Sequence, residues 1–569
     1  MNAISKKKKI SLLFLTGMLM FISHGNAMSF AKNQTETTSY PISPDVVTTL
    51  KRTLLPDSLK PGTKKIKIYE VARYDKFGYG KWHYGPGTAV VKRYDLMEKG
   101  YSNKTSGTNT AKLLSFFTIT DIHITDKESP AQAIYYGYSK ENISAYSPVM
   151  LYSTHVLDAA IQTINSIHNK HPFDFGISLG DNCNNNQYNE LKWFIQVMDG
   201  QRLIPHSGTT KDPIPGPHND YQDEYKAAGL NKSIPWYQAI GNHDHFWMGV
   251  KPPNDYIRKT LEGDTILTMG NIFTPDGYNR RDYYMGTIDG STRYGDVVGA
   301  GDVASTPSPN KIASDSTRHS LSIGEWMNEF FNTTSKPKGH GFKLADVAKG
   351  FACYSFEPKA DLPLKVIVLD DTQRNDDPEG GIYGHSSLDM ERFNWLVKEL
   401  DKGQAEGRLM IIAAHCPIGI STPDHEWWSK NASISENTLI DKLHTYPNLI
   451  LWIAGHRHQN IATAFPSSDP SRPELGFWEV ETASLREFPQ EFRTFDIIRN
   501  NDNTISIIAI NVDPAVRKGS PAATSRSYAV ASSQILKLKG AEPCNAELFK
   551  QLTPAMQKKI QPLGKPIEK

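Results

Sequence analysis

Five short apolar runs, each ending in side chains able to ligate a metal or carry a proton, constrain this chain more than anything else in it. Leu113 to Thr120 runs into Asp121-Ile122-His123, and Phe175 to Leu179 runs into Gly180-Asp181-Asn182. A third run ends at Ala239-Ile240-Gly241-Asn242-His243-Asp244-His245. Leu409 to Ala414 leads to His415, and Leu449 to Ala454 leads to Gly455-His456-Arg457-His458. Such runs read as buried sheet strands. In layered α/β folds, residues just beyond the carboxyl ends of the strands line one crevice. Helical spacing fills the gaps: Val156, Leu157, Ala160, Ile161, Ile164 and Ile167 share a face between Pro148 and Lys170, and 189–198 forms a second helix. Phe393, Leu396, Val397 and Leu400 mark another, capped by Ser386 or Ser387, and 435–444 reads as a short one. The expected class is α/β.

Boundaries follow from composition. Residues 1–27 read as a signal peptide: Lys6 to Lys9, an apolar stretch from Ile10 to Ile22, and the small-residue site Gly25-Asn26-Ala27. Its apolar part is too short for a membrane span, so no transmembrane segment is expected after cleavage, and the protein is expected in the periplasm or outside the cell. Losing those four lysines takes the formal charge from +2 to about −2, with no basic surface for nucleic acid. Residues 28–111 are expected to form a small β extension, with a strand at Lys64 to Val71. The main domain spans 112–514. It is interrupted at 246–350 by a Gly-, Asp-, Asn- and Tyr-rich insertion expected to cap the site and choose the substrate. Residues 515–569 read as a peripheral tail. Four cysteines without a CxxC pair argue against a structural zinc finger. A Cys183–Cys416 bridge and buried free thiols both stay open.

Asp-x-His, Gly-Asp, Gly-Asn-His-Asp, a single His after a strand, and Gly-His-x-His, in this order, resemble the calcineurin-like metallophosphoesterase superfamily. The resemblance covers roughly residues 112–500. It implies a four-layer α-β-β-α sandwich and two divalent metal ions, with Mn, Fe and Zn all compatible with the donor set. Asp121, His123, Asp181 and His458 would hold one ion. Asp181, Asn242, His415 and His456 would hold the other, with Asp181 bridging. The implied activity is hydrolysis of phosphomonoesters or phosphodiesters by a metal-bound hydroxide. The substrate would be a small-molecule, lipid or nucleotide phosphate ester. Ferric members of the superfamily carry a tyrosine where this chain has Asn184, so a colourless centre of two divalent ions is expected.

By the same resemblance His243 is the catalytic residue near the leaving group, as general acid or as a contact to a phosphoryl oxygen. Asp244 is expected to orient its ring. Arg457 is weighed as a phosphate contact against a solvated surface residue, His245 as a supporting residue against a loop residue, and His425 with Trp427-Trp428 as a substrate wall against core packing. A catalytically silent exported binding or cell-envelope protein on the same fold is the alternative reading.

Overall fold

The computed structural model describes residues 39–101, 108–209, 212, 214–272, 274, 276–277, 279–376, 383–421 and 427–567. The expected leader and His425 lie outside them. The chain builds one sheet, leaves it to build a second, and returns to finish the first. The opening strands are β1 (Val91–Leu96), β2 (Asn109–Ile119), β3 (Phe175–Ser178) and β4 (Trp236–Gln238). The second sheet takes β5 (Tyr354–Phe356), β6 (Leu364–Val368), β7 (Leu409–Ala413), β8 (Leu449–Ala454), β9 (Ile461–Phe465) and β10 (Phe477–Glu481). The chain then returns with β11 (Phe492–Asn500), β12 (Ile505–Val512) and β13 (Ala546–Lys550).

In the first sheet the order is β1-β13-β12-β11-β2-β3-β4, with Lys565–Pro566 pairing onto β2; in the second it is β5-β6-β7-β8-β10-β9. β2, β3 and β4 run parallel, and so do β6, β7, β8 and β10. Registers such as Ile119↔Ser178 and Val368↔Ala413 keep the carboxyl ends level, so the loops that follow start at one height. Crossovers carry α1 (Ser153–His168) and α2 (Tyr188–Asp199) in the first half, α3 (Met390–Ala405) and α4 (Glu436–Leu443) in the second. The result is a mixed α/β fold. No helix among the described residues is long and apolar enough to cross a membrane.

Alternation along the second sheet divides its two faces, as strand geometry requires. Val366, Val368, Ile411, Ala413 and Ile453 join the same core as Leu114, Phe116, Phe175 and Phe495 of the first sheet. Ile367, Leu369, Met410, Ile412 and Trp452 meet Leu396 and Leu400 of α3 and Leu439 and Leu443 of α4. Phe175 meets Phe356 edge-on at 5.3 Å, tying β3 to β5.

Several expectations need correction. Residues 515–569 are not a peripheral tail: they form α5 (Pro521–Leu536) and supply β13, which lies between β1 and β12. Lys64 to Val71 is no strand; Ile66 and Val71 pack with Tyr74, Tyr79 and Ala531 in a small cluster instead. Part of the N-terminal extension joins the main sheet, because β1 pairs in parallel with β13. The cap of α3 is Asp389, whose side chain accepts the Arg392 amide, and not Ser386 or Ser387. The 246–350 insertion carries a three-stranded sheet (Thr268–Met269, Tyr283–Ile288, Val297–Asp302), and its Trp247, Ile257 and Met285 form an apolar cluster with Ala131, Ala133 and Ala145 of the main domain. All four cysteines are free.

Lys550, on β13, is buried with its ammonium on the Glu474 carbonyl at 2.5 Å. Burial pulls its pKa down to about 7, against a feebler upward pull from Glu474. An unfolded chain holds that proton up to about pH 10.4. Between pH 7 and 10 the unfolded state therefore binds the extra proton, and Lys550 contributes stability that rises with pH. Lys550→Met removes this slope. In urea titrations the stability of the variant relative to the native chain should shrink by on the order of 2 kcal/mol from pH 7 to pH 10. A difference that stays flat with pH would show that Lys550 keeps its charge in the fold.

Candidate metal centre

Five of the seven proposed ligands leave their strands through a strained step. Asp121, His123, Asp181, His456 and His458 all have left-handed backbone, with φ between 48° and 68°. Such φ values are uncommon outside glycine and cost on the order of 1 kcal/mol or more each, so their clustering here marks a built site. Two glycines make room for it. A Cβ on Gly241 would stand 2.2 Å from Asp181 Oδ1, and one on Gly455 would stand 2.1 Å from Thr120 Oγ1.

The strand ends bring all seven expected ligands together. His415 Nε2 lies 3.0 Å from Asn242 Oδ1, 3.2 Å from His456 Nδ1 and 3.4 Å from Asp181 Oδ2. On the other side His458 Nε2 lies 3.2 Å from Asp121 Oδ1 and 3.4 Å from His123 Nε2. His123 Nε2 is also 3.8 Å from Asp181 Oδ2, an oxygen that thus faces both groups. Apart from the edges at His456 and His458 the cage is buried.

What lies behind these atoms fixes which of them point inward. His415 Nδ1 pairs with the Leu179 carbonyl at 2.9 Å and so carries the proton, leaving the Nε2 lone pair toward the centre. Asn242 Nδ2 donates to the Gly249 carbonyl at 2.9 Å, which turns Oδ1 inward. Asp121 Oδ2 accepts Thr120 Oγ1 and the His456 amide, and Asp181 Oδ1 accepts the His243 amide. Asp121 Oδ1 is buried without a hydrogen-bond donor. His458 Nδ1 pairs with Glu487 at 2.7 Å. Such outer partners are how metal-ligating histidines are held in one tautomer.

With the imidazoles neutral, lone pairs crowd toward two points, an arrangement that suits cations, protons included. Donors bound to one ion at about 2.1 Å stand roughly 3.0–3.4 Å apart, the spacing found around His415. The charges respond in the same sense. Burial opposes the positive form of His415, but Asp181 and Asp121 outweigh it and raise it to about 10. Burial alone would raise Asp121, yet His458 and His415 bring it down to about 2. His458 is raised in spite of burial by Glu487 and Asp121. The cage gathers positive charge from whatever is at hand. Oxygen and nitrogen donors without thiolate suit Mn, Fe or Zn.

His243 stands beside this cage, its ring 4.5 Å from that of His123 and nearly perpendicular to it. Its Nδ1 meets the Asn184 carbonyl at 2.7 Å, so Nδ1 carries a proton and Nε2 is the nitrogen left for chemistry. Asp244 does not orient that ring, contrary to expectation. Its carboxylate accepts the backbone amides of Gly241, Asp181, Asn182 and Cys183, at 2.9 to 3.1 Å, and sews the two ligand loops together.

Arg457 is neither free nor aimed at the cage: it grips buried Glu481 through Nε and Nη2 at 2.7 and 2.5 Å. His245 is buried with Nε2 on Thr372 Oγ1 at 2.9 Å. Trp428 packs in the core, its indole donating to the Ile434 carbonyl, while Trp427 lies edge-on to His456 at 5.5 Å. Arg486 and Glu487, on the turn after β10, were not foreseen; no motif flags them.

No family model matches this chain, and no curated protein matches it. Among solved structures, a dimetal phosphatase from Danio rerio is similar over 71% of this chain and 99% of its own, at 11% identity and a TM-score of 0.36. GAP50, the anchor in the inner membrane complex of Plasmodium, is similar over 78% of this chain and 98% of its own, at 11% identity and a TM-score of 0.28. The functional reading rests on the residues of the cage.

Proposed function

We propose that this chain is a phosphoesterase that works with two divalent ions. The observation that carries the proposal is Asp181 Oδ2, which lies within 4 Å of a nitrogen in each of the two clusters of inward-pointing donors. Asp121, His123 and His458 complete one cluster; Asn242, His415 and His456 complete the other. Ions held there would supply an activated water near neutral pH and charge that offsets the phosphoryl oxygens. The chain's own residues do the rest. Asn242 adds an oxygen donor without adding charge. Glu487 and the Leu179 carbonyl keep His458 and His415 in the ligating tautomer. His243, fixed through Nδ1, presents Nε2 toward the ester oxygen that departs, and the doubly protonated ring would give that oxygen its Nε2 proton. The fold is read as the four-layer α-β-β-α arrangement; the separate faces of the second sheet, one toward the first sheet and one toward α3 and α4, support it.

The test is turnover of an aryl phosphomonoester and an aryl phosphodiester by chelator-stripped protein, with and without added Mn. Turnover that appears with Mn is expected, and no metal-dependent turnover on either ester would end the proposal. His243→Ala should keep the native ion content. It should lower kcat by about 100-fold for poor leaving groups and far less for nitrophenolate, which needs no proton. Equal losses for both would remove the acid role.

A further inference from the structure

Arg486 is 3% exposed, and one edge of its guanidinium has no acceptor. Nη1 donates to Asn184 Oδ1. Nε lies 3.5 Å from Glu487 Oε1, an ion-pair distance outside hydrogen-bond geometry, so neither Nε nor Nη2 has a hydrogen-bond acceptor. Unpaired donors on a buried cation are costly, which calls for an anion to complete them. Nε and Nη2 form a two-pronged edge matched to paired oxygens of a phosphoryl or carboxyl group.

Its neighbours place Arg486 beside the centre. The Arg486 amide donates to Ser484 Oγ, whose hydroxyl donates to the Asp121 carbonyl. The next residue, Glu487, holds His458. Asn184, which takes Nη1 through its side chain, takes His243 Nδ1 through its carbonyl.

We propose that the Nε–Nη2 edge of Arg486 receives a phosphoryl oxygen, and that this contact makes the site selective for phosphate monoesters. The proposal rests on the two-metal reading of the cage. A diester offers two non-bridging oxygens and a single negative charge, and ions held in the cage would draw on both oxygens. A monoester offers a third oxygen and approaches two negative charges above pH 6 or so. Only the monoester leaves an oxygen for a third cationic group. Arg486 is thus a specificity-determining contact that the ligand motifs do not contain.

The experiment compares the full chain, loaded with Mn, against Arg486→Lys and Arg486→Met on 4-nitrophenyl phosphate and its methyl ester, which share a leaving group. Expected losses in kcat/KM are about 30- to 100-fold on the monoester and under about threefold on the diester. Inorganic phosphate should inhibit the variants at least about tenfold more weakly, while inhibition by fluoride, which needs only the ions, and the bound Mn per chain stay as in the native protein. Arg486→Lys keeps the charge and volume, and it carries the comparison if Arg486→Met does not fold. Equal losses on both esters, undiminished phosphate inhibition, loss of Mn, or a native preference for the diester would each overturn the proposal. A native chain with no Mn-dependent turnover on either ester would instead strike the two-metal reading itself.

Discussion

Asp181→Asn is expected to strip at least one ion from the centre and to lower kcat/KM on an aryl phosphate by at least about 1,000-fold. The substitution is nearly isosteric, so the effect falls on charge and ligation. An asparagine Oδ1 still accepts the His243 amide, the bond that Asp181 Oδ1 makes at 2.9 Å, and the loop keeps its shape. The amide that replaces Oδ2 has two hydrogens and no lone pair for an ion. It would point at His415 Nε2, now 3.4 Å from the oxygen, and at His123 Nε2, now 3.8 Å away. Asp181 Oδ2 lies within 4 Å of a nitrogen in each group of donors, so one change weakens both. Asp121→Asn leaves the second group its carboxylate and should be milder on ion content. Bound metal after dialysis, counted by atomic emission, and turnover on the same samples check this. Two ions per chain with activity within tenfold of native would mean that Asp181 is not the bridge.

What the sequence revealed of this centre, and what it hid, divides along the line between local and remote information. The ligands were legible because each follows an apolar run such as Leu449–Ala454, all of it buried, and a strand hidden on both faces leaves an uninterrupted apolar signature. The supports were not. Glu487 reaches His458 from the turn after β10, and no spacing rule links the two. Asn184 acts through its carbonyl, which every residue possesses. Asp244 misled because adjacency in sequence suggested contact with His243. The two sit in a 3₁₀ turn, Asn242–Asp244, where successive side chains diverge by about 120°.

The C-terminal segment shows the same limit in the fold. β13 has five residues and includes Glu547 and Lys550, so it lacks an apolar run, yet it is an interior strand. Its charges are absorbed by distant partners: Glu547 by Lys92 and Ser506, Lys550 by the Glu474 carbonyl. α5 is built of Ala and Ser with few large apolar residues, and periodicity had little to read. Lys64 to Val71 alternates without pairing, because alternation alone says nothing of a neighbouring strand.

Asp244→Ala is expected to destabilise the chain by on the order of 3–5 kcal/mol, the largest stability effect of any single change at the centre. Its two oxygens accept four main-chain amides, from Gly241 and Asp181 on Oδ2 and from Asn182 and Cys183 on Oδ1. Asp244 is fully buried, so no water stands ready to take over, and each orphaned amide costs on the order of 1 kcal/mol or more. Asp244→Asn should cost less: one oxygen still accepts, while the amide group brings two donors against amides that also donate. The loss must be measured on chelator-stripped protein, where weakened ion binding cannot mimic a weakened fold. Urea unfolding of the stripped native chain and both variants gives the comparison. A ranking of alanine below asparagine below native, with alanine losing several kcal/mol, matches a carboxylate that clamps the 180–183 loop to the 241–244 turn. A stripped Asp244→Ala within about 1 kcal/mol of native would mean that these amides find other acceptors, and that the two loops carrying Asp181 and Asn242 are held together by something else.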